Sequence, residues 1–184
     1  MNKIILFSLI SLLFSGNTWN NISSDSPNPM NINLVESSID NSKIKFSMDG
    51  FHLVPIDDYG RYIVKTENGA SILKKGFPDL QKMTKSIIIP DNKNMVVNIL
   101  SYKYHDYENI NIAPSKGNFS RDISPNDVRY VYSDVYKQNK FYPENLSELG
   151  EPYILRDVRG QAITFNPFQY NPVTKILRVY SEIV

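Results

Sequence analysis

Short apolar runs alternate with turn signals along most of this chain, and that spacing constrains the fold more than any other feature. Between residues 43 and 184 the runs are separated by dipeptides such as Asp49-Gly50 and Asn68-Gly69. Gly, Asn and Asp favour tight turns, and β-branched or aromatic runs bounded by such turns predict β-strands. The sequence therefore predicts an all-β domain, an antiparallel β-sandwich, of which a jelly roll is one form.

The last third of the chain, residues 150–184, shows this pattern most clearly. Two apolar runs, at residues 161–168 and 176–184, flank a polar turn that contains Asn171 and Pro172. Asn-Pro favours a turn, so the pattern predicts an antiparallel hairpin with one buried face. The side chains expected to face the core are Ile163, Phe165, Leu177, Val179 and Ile183. Those expected to point away from it are Tyr170, Arg178, Tyr180 and Glu182.

Further runs predict strands, and one segment predicts a helical turn. The strands are expected at residues 86–89, 95–102, 109–113 and 130–136. One short helical turn is expected at residues 143–149, because Pro143 suits the first turn of a helix and Gly150 ends one.

Residues 1–19 have the pattern of a secretory signal peptide. Lys3 supplies a positive charge before an apolar run at residues 4–14, which is too short to cross a bilayer as a helix. We expect cleavage between residues 15 and 20, and export of the mature chain to the cell surface or the medium. A buried N-terminal helix is the alternative, but no amphipathic pattern continues the run.

The mature chain is expected to have two parts. Residues 20–42 are rich in Asn, Ser, Asp and Pro, which predicts a polar linker with at most one edge strand. Residues 43–184 are expected to form the folded domain. The last apolar run reaches Val184 without a closing polar segment, so we expect a chain cut short before a further domain, with a fragment or a free-standing protein as the alternatives.

The composition excludes several functions. The chain contains no cysteine, so it has neither a disulfide nor the thiolate that a cysteine peptidase needs. Its formal net charge of +1 gives no electrostatic reason to expect a nucleic acid or an anionic membrane as partner. His52 and His105, its two histidines, have no further histidine or cysteine at metal-ligand spacing. His105-Asp106 lacks a nucleophile motif, so we expect no catalytic residue, metal or cofactor.

Tyrosine is abundant, with 12 residues in the chain. The clusters at residues 102–107 and 130–136 have two interpretations, a stacking platform for sugars or cross-strand aromatic pairs. We favour the second, because β-strands are enriched in tyrosine whatever their function.

The segment at residues 113–125 is predicted to be a long loop between two strands. Its only positive charges are Lys116 and Arg121. A basic side chain on a loop that a rigid scaffold holds is suited to fill the specificity pocket of a peptidase. Solvated loop charges with no binding role are the alternative.

Four segments carry a resemblance to a known family. They are SIIIPD at residues 86–91, IAPSKG at 112–117, YILRDVRGQ at 153–161 and FQYNPVTKILRVY at 168–180. In this order they resemble the N-terminal propeptide of gingipain-type cysteine peptidases, and the resemblance covers roughly residues 45–184. One departure is Gln81, where the family usually has a second proline after Pro78.

The resemblance implies a secreted, non-catalytic domain with a β-sandwich fold. Such a propeptide keeps a gingipain-type cysteine endopeptidase latent by blocking its cleft, and it can assist folding. The expected partner is the peptidase domain, in cis or in trans. By its place in the motif, Arg121 is the residue that enters the specificity pocket, with Lys116 as the second candidate. An extracellular β-sandwich module for binding or adhesion, without a peptidase, is the alternative function.

Overall fold

The computed structural model describes residues 18–38 and 40–184. Within these residues the chain forms thirteen β-strands and one short 3-10 helix, Asp134–Lys137. In chain order the strands are β1 Thr18–Asn21, β2 Asn31–Ser37, β3 Ser42–Ser47, β4 Gly50–Pro55, β5 Tyr62–Lys65, β6 Ala70–Ser71, β7 Gln81–Ile88, β8 Tyr102–Tyr107, β9 Ser147–Leu149, β10 Tyr153–Leu155, β11 Val158–Phe165, β12 Phe168–Asn171 and β13 Ile176–Ile183.

The strands of the described chain form three sheets, and they pair in antiparallel fashion. The first sheet has the order β1-β4-β5. The second has the order β10-β11-β7-β6, with β9 also paired to β11. The third has the order β12-β13-β3-β2, with β8 paired to β13. The prediction of an antiparallel all-β fold is confirmed.

One apolar core joins the three sheets. Phe46 of β3 stacks on Phe165 of β11 with ring centres 5.7 Å apart, so the two five-stranded sheets face each other. Phe51 of β4 packs edge-on against Phe168 of β12 at 5.6 Å and brings in the first sheet. All four rings are buried. Burying a side chain of this size contributes about 1.5–3 kcal/mol, so these contacts are major determinants of stability.

A C-terminal hairpin exists, but its first strand is β12, residues 168–171, and not the predicted run at residues 161–168. β12 pairs with β13, and the turn at residues 172–175 closes on Asn171, whose side-chain oxygen accepts from the N–H groups of Val173 and Thr174. The preceding run, β11, belongs to the other five-stranded sheet. The chain changes sheets at Asn166, whose buried amide donates to the carbonyl of Asn145.

The side-chain directions predicted for this region are correct at the apolar positions and wrong at two tyrosines. Ile163, Phe165, Leu177, Val179 and Ile183 are all buried. Tyr170 and Tyr180 were expected to point outward, yet they are only 1% and 4% exposed. Tyr170 lies opposite Leu177 and shares the core face of Phe168, and its hydroxyl donates to the carbonyl of Ile110. Tyr180 lies on the other face, where residues 139–145 cover β12 and where the amide oxygen of Gln169 accepts from its hydroxyl.

Residues 20–42 are not the linker that their composition predicts. They contribute to β1 and contain the whole of β2, and Met30 and Ile32 are buried in the core. The side-chain amide of Asn68 donates to the carbonyl of Met30 and accepts from its N–H, which fixes the start of β2. The edge strands β1 and β2 therefore form despite a polar composition, because few of their side chains face inward.

The predicted signal peptide lies largely outside the described residues, since only residues 18 and 19 of it are described. These two residues belong to β1, and the ring of Trp19 packs on His52 of β4 at 5.0 Å. The folded domain thus begins before the predicted end of the signal peptide.

The predicted helical turn is misplaced. Residues 143–149 contain β9, which pairs with β11, whereas the 3-10 helix overlaps the end of the strand predicted at 130–136. Two other predicted strands do not form: the run at 95–102 shares only Tyr102 with β8, and in the run at 109–113 residue 112 makes a single bridge to Tyr62. No helix of the described ranges has the length and apolar character needed to cross a membrane.

Candidate functional site

The predicted loop leaves the sandwich from a firmly bonded segment. The backbone N–H of Ala113 donates to the carbonyl of Tyr62 at 2.9 Å, and that of Ser115 donates to Phe77 at 2.7 Å. The carbonyl of Ser115 in turn accepts from the N–H of Gly76 at 2.9 Å. Ala113 and Ser115 are buried, so the outgoing end of the loop is fixed in position.

The returning end is bonded to the same glycine. Ser133 donates from its backbone N–H and from its hydroxyl to the carbonyl oxygen of Gly76. Gly76 has a φ of +83°, a conformation that glycine adopts without strain. Residues 116–132, which we name the 116–132 loop, therefore start and finish beside one residue of the scaffold.

Aromatic and basic side chains form a second support at the base of the loop. Two cations contact the ring of Tyr130, with the guanidinium carbon of Arg61 4.6 Å and the ammonium of Lys116 4.4 Å from its centre. Arg61 also donates to the hydroxyl of Tyr132 at 3.1 Å. Cation–π contacts of this kind contribute about 0.5–1 kcal/mol each at exposed sites. We name these four residues the Tyr130 clamp.

An ion pair orients the arginine of the clamp. The Nε atom of Arg61 donates to the carboxylate of Asp57 at 2.6 Å. Burial alone raises the pKa of Asp57, but hydrogen bonds from the Arg61 side chain and from the N–H groups of Tyr59 and Arg61 outweigh it, so the pKa lies below its usual value. The hydrogen bond to Asp57 raises the pKa of Arg61. Both groups are charged at neutral pH, and the clamp keeps its cation.

The structure separates the two basic residues that the sequence singled out. Lys116 turns inward, where its ammonium donates to the carbonyl of Pro125 at 2.6 Å and contacts the Tyr130 ring. Arg121 is exposed, and it makes no hydrogen bond, ion pair or ring contact with any residue that the structure describes. Lys116 therefore supports the loop from within, and Arg121 is free to bind something else.

Arg121 occupies a tight turn in the exposed part of the loop. The N–H of Ile123 donates to the carbonyl of Ser120 at 3.1 Å, which places Arg121 and Asp122 at the two central positions of a β-turn. A hydrogen bond with Ser120 and one with its own N–H lower the pKa of Asp122. A second turn follows directly, with the N–H of Asp127 donating to Ser124 at 3.0 Å.

Gln81, which stands where the family usually has proline, has a structural role of its own. Its buried side-chain oxygen accepts from the N–H and the hydroxyl of Thr66, at 2.7 and 2.8 Å, and its side-chain N–H donates to the carbonyl of Gly69. The side chain thereby ties the turn between β5 and β6 to the start of β7. The ordered structure at this position shows that the glutamine is accommodated where the family usually has proline.

The other candidate residues form no comparable site. His52 contacts Glu67 at 3.7 Å and packs on Trp19, and no group of three or more potential metal ligands occurs in the described ranges. In the first tyrosine cluster, Tyr104 pairs across strands with Tyr180 at 5.6 Å, as cross-strand pairing predicts. The second cluster lies outside the strands, and its Tyr130 belongs to the clamp.

A β-sandwich without cysteine, which holds two exposed arginines without a partner in the described chain, Arg121 and Arg129, on a doubly anchored loop, has the features of a non-catalytic domain that binds a protein partner. The Propeptide_C25 family model matches residues 22–184. The chain belongs to this family, the propeptides of gingipain-type cysteine peptidases, and the resemblance predicted from the sequence is confirmed.

Curated relatives agree with this assignment. The chain is 39% identical over its whole length to Gingipain R1 and 36% identical to Gingipain R2, both from Porphyromonas gingivalis. Lys-gingipain of the same organism is 28% identical over 59% of the chain. The chain spans only 11%, 25% and 7% of the lengths of these three relatives, so it corresponds to one part of each.

Solved structures share the fold. A complex of the pro- and mature domains of RgpB from Porphyromonas gingivalis matches with a TM-score of 0.78 and 38% identity, over 83% of this chain and 81% of that one. A structure that addresses the zymogenic latency of gingipain K matches with a TM-score of 0.72, over 90% of this chain and 96% of that one. At 23% identity, the second match shows the fold alone.

Proposed function

We propose that this chain keeps a gingipain-type cysteine peptidase latent by placing the 116–132 loop in its cleft, with Arg121 in the specificity pocket. The observation that carries this proposal is the free, exposed guanidinium of Arg121 in the tight turn at residues 120–123, on a loop whose two ends are bonded to Gly76. Arg129 is also free and exposed, but it lies outside this turn and next to Tyr130 of the clamp. A guanidinium forms a planar, bidentate pair with a carboxylate, which a lysine does not reproduce. The partner proposed here is a peptidase that accepts arginine.

The anchoring of the loop supports a role in tight binding. A flexible loop loses conformational freedom when it binds, and this cost lowers its affinity. Here the bonds to Gly76 and the Tyr130 clamp already order both ends before any partner is present. Lys116 is less suited to the pocket, because leaving its site would break its bond to Pro125 and its contact with Tyr130.

The relatives also support the proposal. One matched structure is described as a complex of pro- and mature domains, which motivates the choice of a peptidase domain as partner. The domain acts on that partner in cis or in trans, and a scaffold that binds the folded peptidase can also assist its folding. Export through an N-terminal signal peptide belongs to the same proposal, since the latent peptidase would act outside the cell.

Inhibition constants against an arginine-specific gingipain-type peptidase test the proposal. Truncating one partner of a desolvated charge pair typically costs about 2–5 kcal/mol, so Arg121→Ala is expected to weaken inhibition at least about 30-fold. Arg121→Lys is expected to lose part of that factor, because the ammonium keeps the charge without the planar fork.

Arg129→Ala is the matched control, since Arg129 is an exposed arginine of the same loop. It is expected to leave the inhibition constant within about threefold of the parent, as solvated charges contribute little. Lys116→Ala should weaken inhibition less than Arg121→Ala, through loss of loop order alone. Circular dichroism of each variant checks the fold. Equal inhibition by the parent and Arg121→Ala would rule out Arg121 as the anchor.

A further inference from the structure

The peptide bond that follows Arg121 lies at the centre of a closed turn. The turn spans residues 120–123 and is closed by the 3.1 Å bond from the N–H of Ile123 to the carbonyl of Ser120. The ends of such a turn are less than about 7 Å apart, whereas the same four residues fully extended would span about 10 Å.

This geometry matters for a loop that offers arginine to an arginine-specific peptidase. Such an enzyme cuts the bond after the bound arginine, by attack of its thiolate on the carbonyl carbon. Attack requires the reacting atoms to approach to about 3–3.5 Å with aligned orbitals. Extended peptides achieve a fixed register in a binding site through main-chain hydrogen bonds, like an added β-strand. A closed turn makes the side chain available but does not offer the backbone in this form.

We propose that the turn at residues 120–123 protects the Arg121–Asp122 bond, so that the loop acts as an inhibitor and not as a substrate. This inference rests on the proposed function, because it concerns the same loop in the same cleft. Ser120 and Asp122 are positioning residues in it: they hold the turn closed and do not contact the pocket themselves.

Several contacts keep the turn from opening. Ser120 also interacts with the Asp122 carboxyl within the turn, since it lowers the pKa of that group. On the far side, Lys116 donates to the carbonyl of Pro125, and the second turn follows at residues 124–127. If residues 120–123 became extended, the distance between their ends would grow by about 3 Å. The segment at residues 124–127 would have to move outward by this distance.

A pair of insertion variants tests the inference. Two glycines inserted between Asp122 and Ile123 keep Arg121 and Asp122 but break the bond that closes the turn. The matched control carries the same two glycines between Asn126 and Asp127, which lengthens the loop and leaves residues 120–123 closed. Each protein is incubated with the arginine-specific peptidase, and mass spectrometry follows the fragments that end at Arg121 and begin at Asp122. The masses of these fragments sum to that of the intact protein plus one water.

The first insertion variant is expected to be cut after Arg121 about two- to tenfold faster than the parent and the control, since one backbone hydrogen bond of about 0.5–1.5 kcal/mol no longer opposes opening. The double substitution Ser120→Ala with Asp122→Ala, which leaves this backbone bond in place, should show a smaller increase. It also guards against a folding defect caused by the insertion.

Two results would overturn the inference while leaving the proposed function intact. One is cutting of the parent after Arg121 as fast as the opened variant, and the other is lasting inhibition by the opened variant with no cut at that bond. Loss of the proposed function would look different. The parent itself would not inhibit, or Arg121→Ala would inhibit equally well, and the protective turn would then have no role.

Discussion

Ser133 donates two hydrogen bonds to a single acceptor, the carbonyl oxygen of Gly76, at 3.0 Å from its backbone N–H and 2.9 Å from its hydroxyl. The N–H of Gly76 meanwhile donates to Ser115, at the other end of the loop. One residue therefore fixes both ends of the segment that presents Arg121. A substitution at Gly76 should therefore affect inhibition without changing Arg121, the residue proposed to enter the pocket.

Gly76→Ala is expected to weaken inhibition as well as stability. The positive φ of +83° becomes strained by about 1–2 kcal/mol with a side chain, and the new Cβ would lie 3.2 Å from the N atom of Ser133. Gly60→Ala is the control, because Gly60 has a φ of +70° with no atom near its Cβ position. Urea unfolding should show similar losses for both variants, whereas only Gly76→Ala should raise the inhibition constant. An equal rise for both would argue against a specific role for Gly76.

Gln81 and Gln161 offer a comparison of two buried amides. Gln81 uses both side-chain polar atoms in three hydrogen bonds, whereas Gln161 makes one bond to Gly150 and its oxygen has no partner in the described structure. Gln81→Ala should lower the free energy of unfolding by about 2 kcal/mol, because Thr66 loses its acceptor. Gln161→Ala should cost less than about 1 kcal/mol, because it also removes a buried, unpaired oxygen. Denaturant titration of both variants measures the difference, and the opposite ranking would contradict it.

Asp79 should make stability depend on pH. Desolvation raises its pKa above the ordinary value of 3.8, and Lys65 offsets only part of the rise. Below pH 3.8 both folded and unfolded states hold the proton, so the residue has no effect there. As pH rises towards the folded-state pKa, the unfolded state ionises first, and stability falls until the folded carboxyl has ionised too.

Asp79→Asn removes this titration and nearly preserves the shape of the side chain. The variant should therefore melt at a higher temperature than the parent at pH 7, and the gap should close as pH falls below 3.8. Melting temperatures of the two proteins across this range provide the measurement. A difference in melting temperature that grows as the pH falls would contradict the predicted direction of the pH dependence.

The position of Trp19 predicts where the mature chain begins. Trp19 belongs to β1, packs on His52, and donates from its indole N–H to the carbonyl of Ser24 at 3.0 Å. We expect signal cleavage at or before the bond preceding Thr18, which mass spectrometry of the exported protein can check. A mature chain that starts after Trp19 would be incompatible with this structure of β1.

Substitution of Trp19 tests its contribution directly. Trp19→Ala should lower the free energy of unfolding by about 2 kcal/mol, the scale of burying one large apolar side chain. Trp19→Phe keeps an aromatic ring against His52 and loses only the indole hydrogen bond, so it should retain most of the stability. Equal losses for the two variants would locate the effect in the hydrogen bond.

Sequence patterns predicted the strands where one face alone is buried. Ile163 and Phe165 are correct because alternation with polar residues records an inward and an outward face. Tyr170 was assigned to the turn, whereas β12 places it on the core face beside Phe168. Tyr180 could not be assigned from alternation, because it lies on the opposite face, which is covered as well. At residues 143–149 the local helix signals of Pro143 and Gly150 were overridden by pairing of β9 with β11.

The candidate site, too, could be predicted only in part from local sequence patterns. Loop composition predicted that Arg121 would be exposed, and it is. The selection of Arg121 as the pocket residue came from the family resemblance and stays a prediction. The inward turn of Lys116 depends on Tyr130, and the anchoring of the loop depends on a contact between Gly76 and Ser133, 57 positions apart. No local pattern records such pairings, since they exist only when the sandwich is assembled.

The place of β13 in its sheet has a consequence for how the chain reaches this structure. β13 pairs with β12 and β3 along one edge and with β8 along the other, although it is the last strand of the described chain. Its pairing of Ile183 with Phe46 joins residues that are far apart in the sequence. Contacts of such sequence separation slow folding, because a long loop must close before they form. A ribosome would therefore release most of this domain before the sheet that contains β13 could assemble, which would leave the emerging polypeptide open for threading through an export channel.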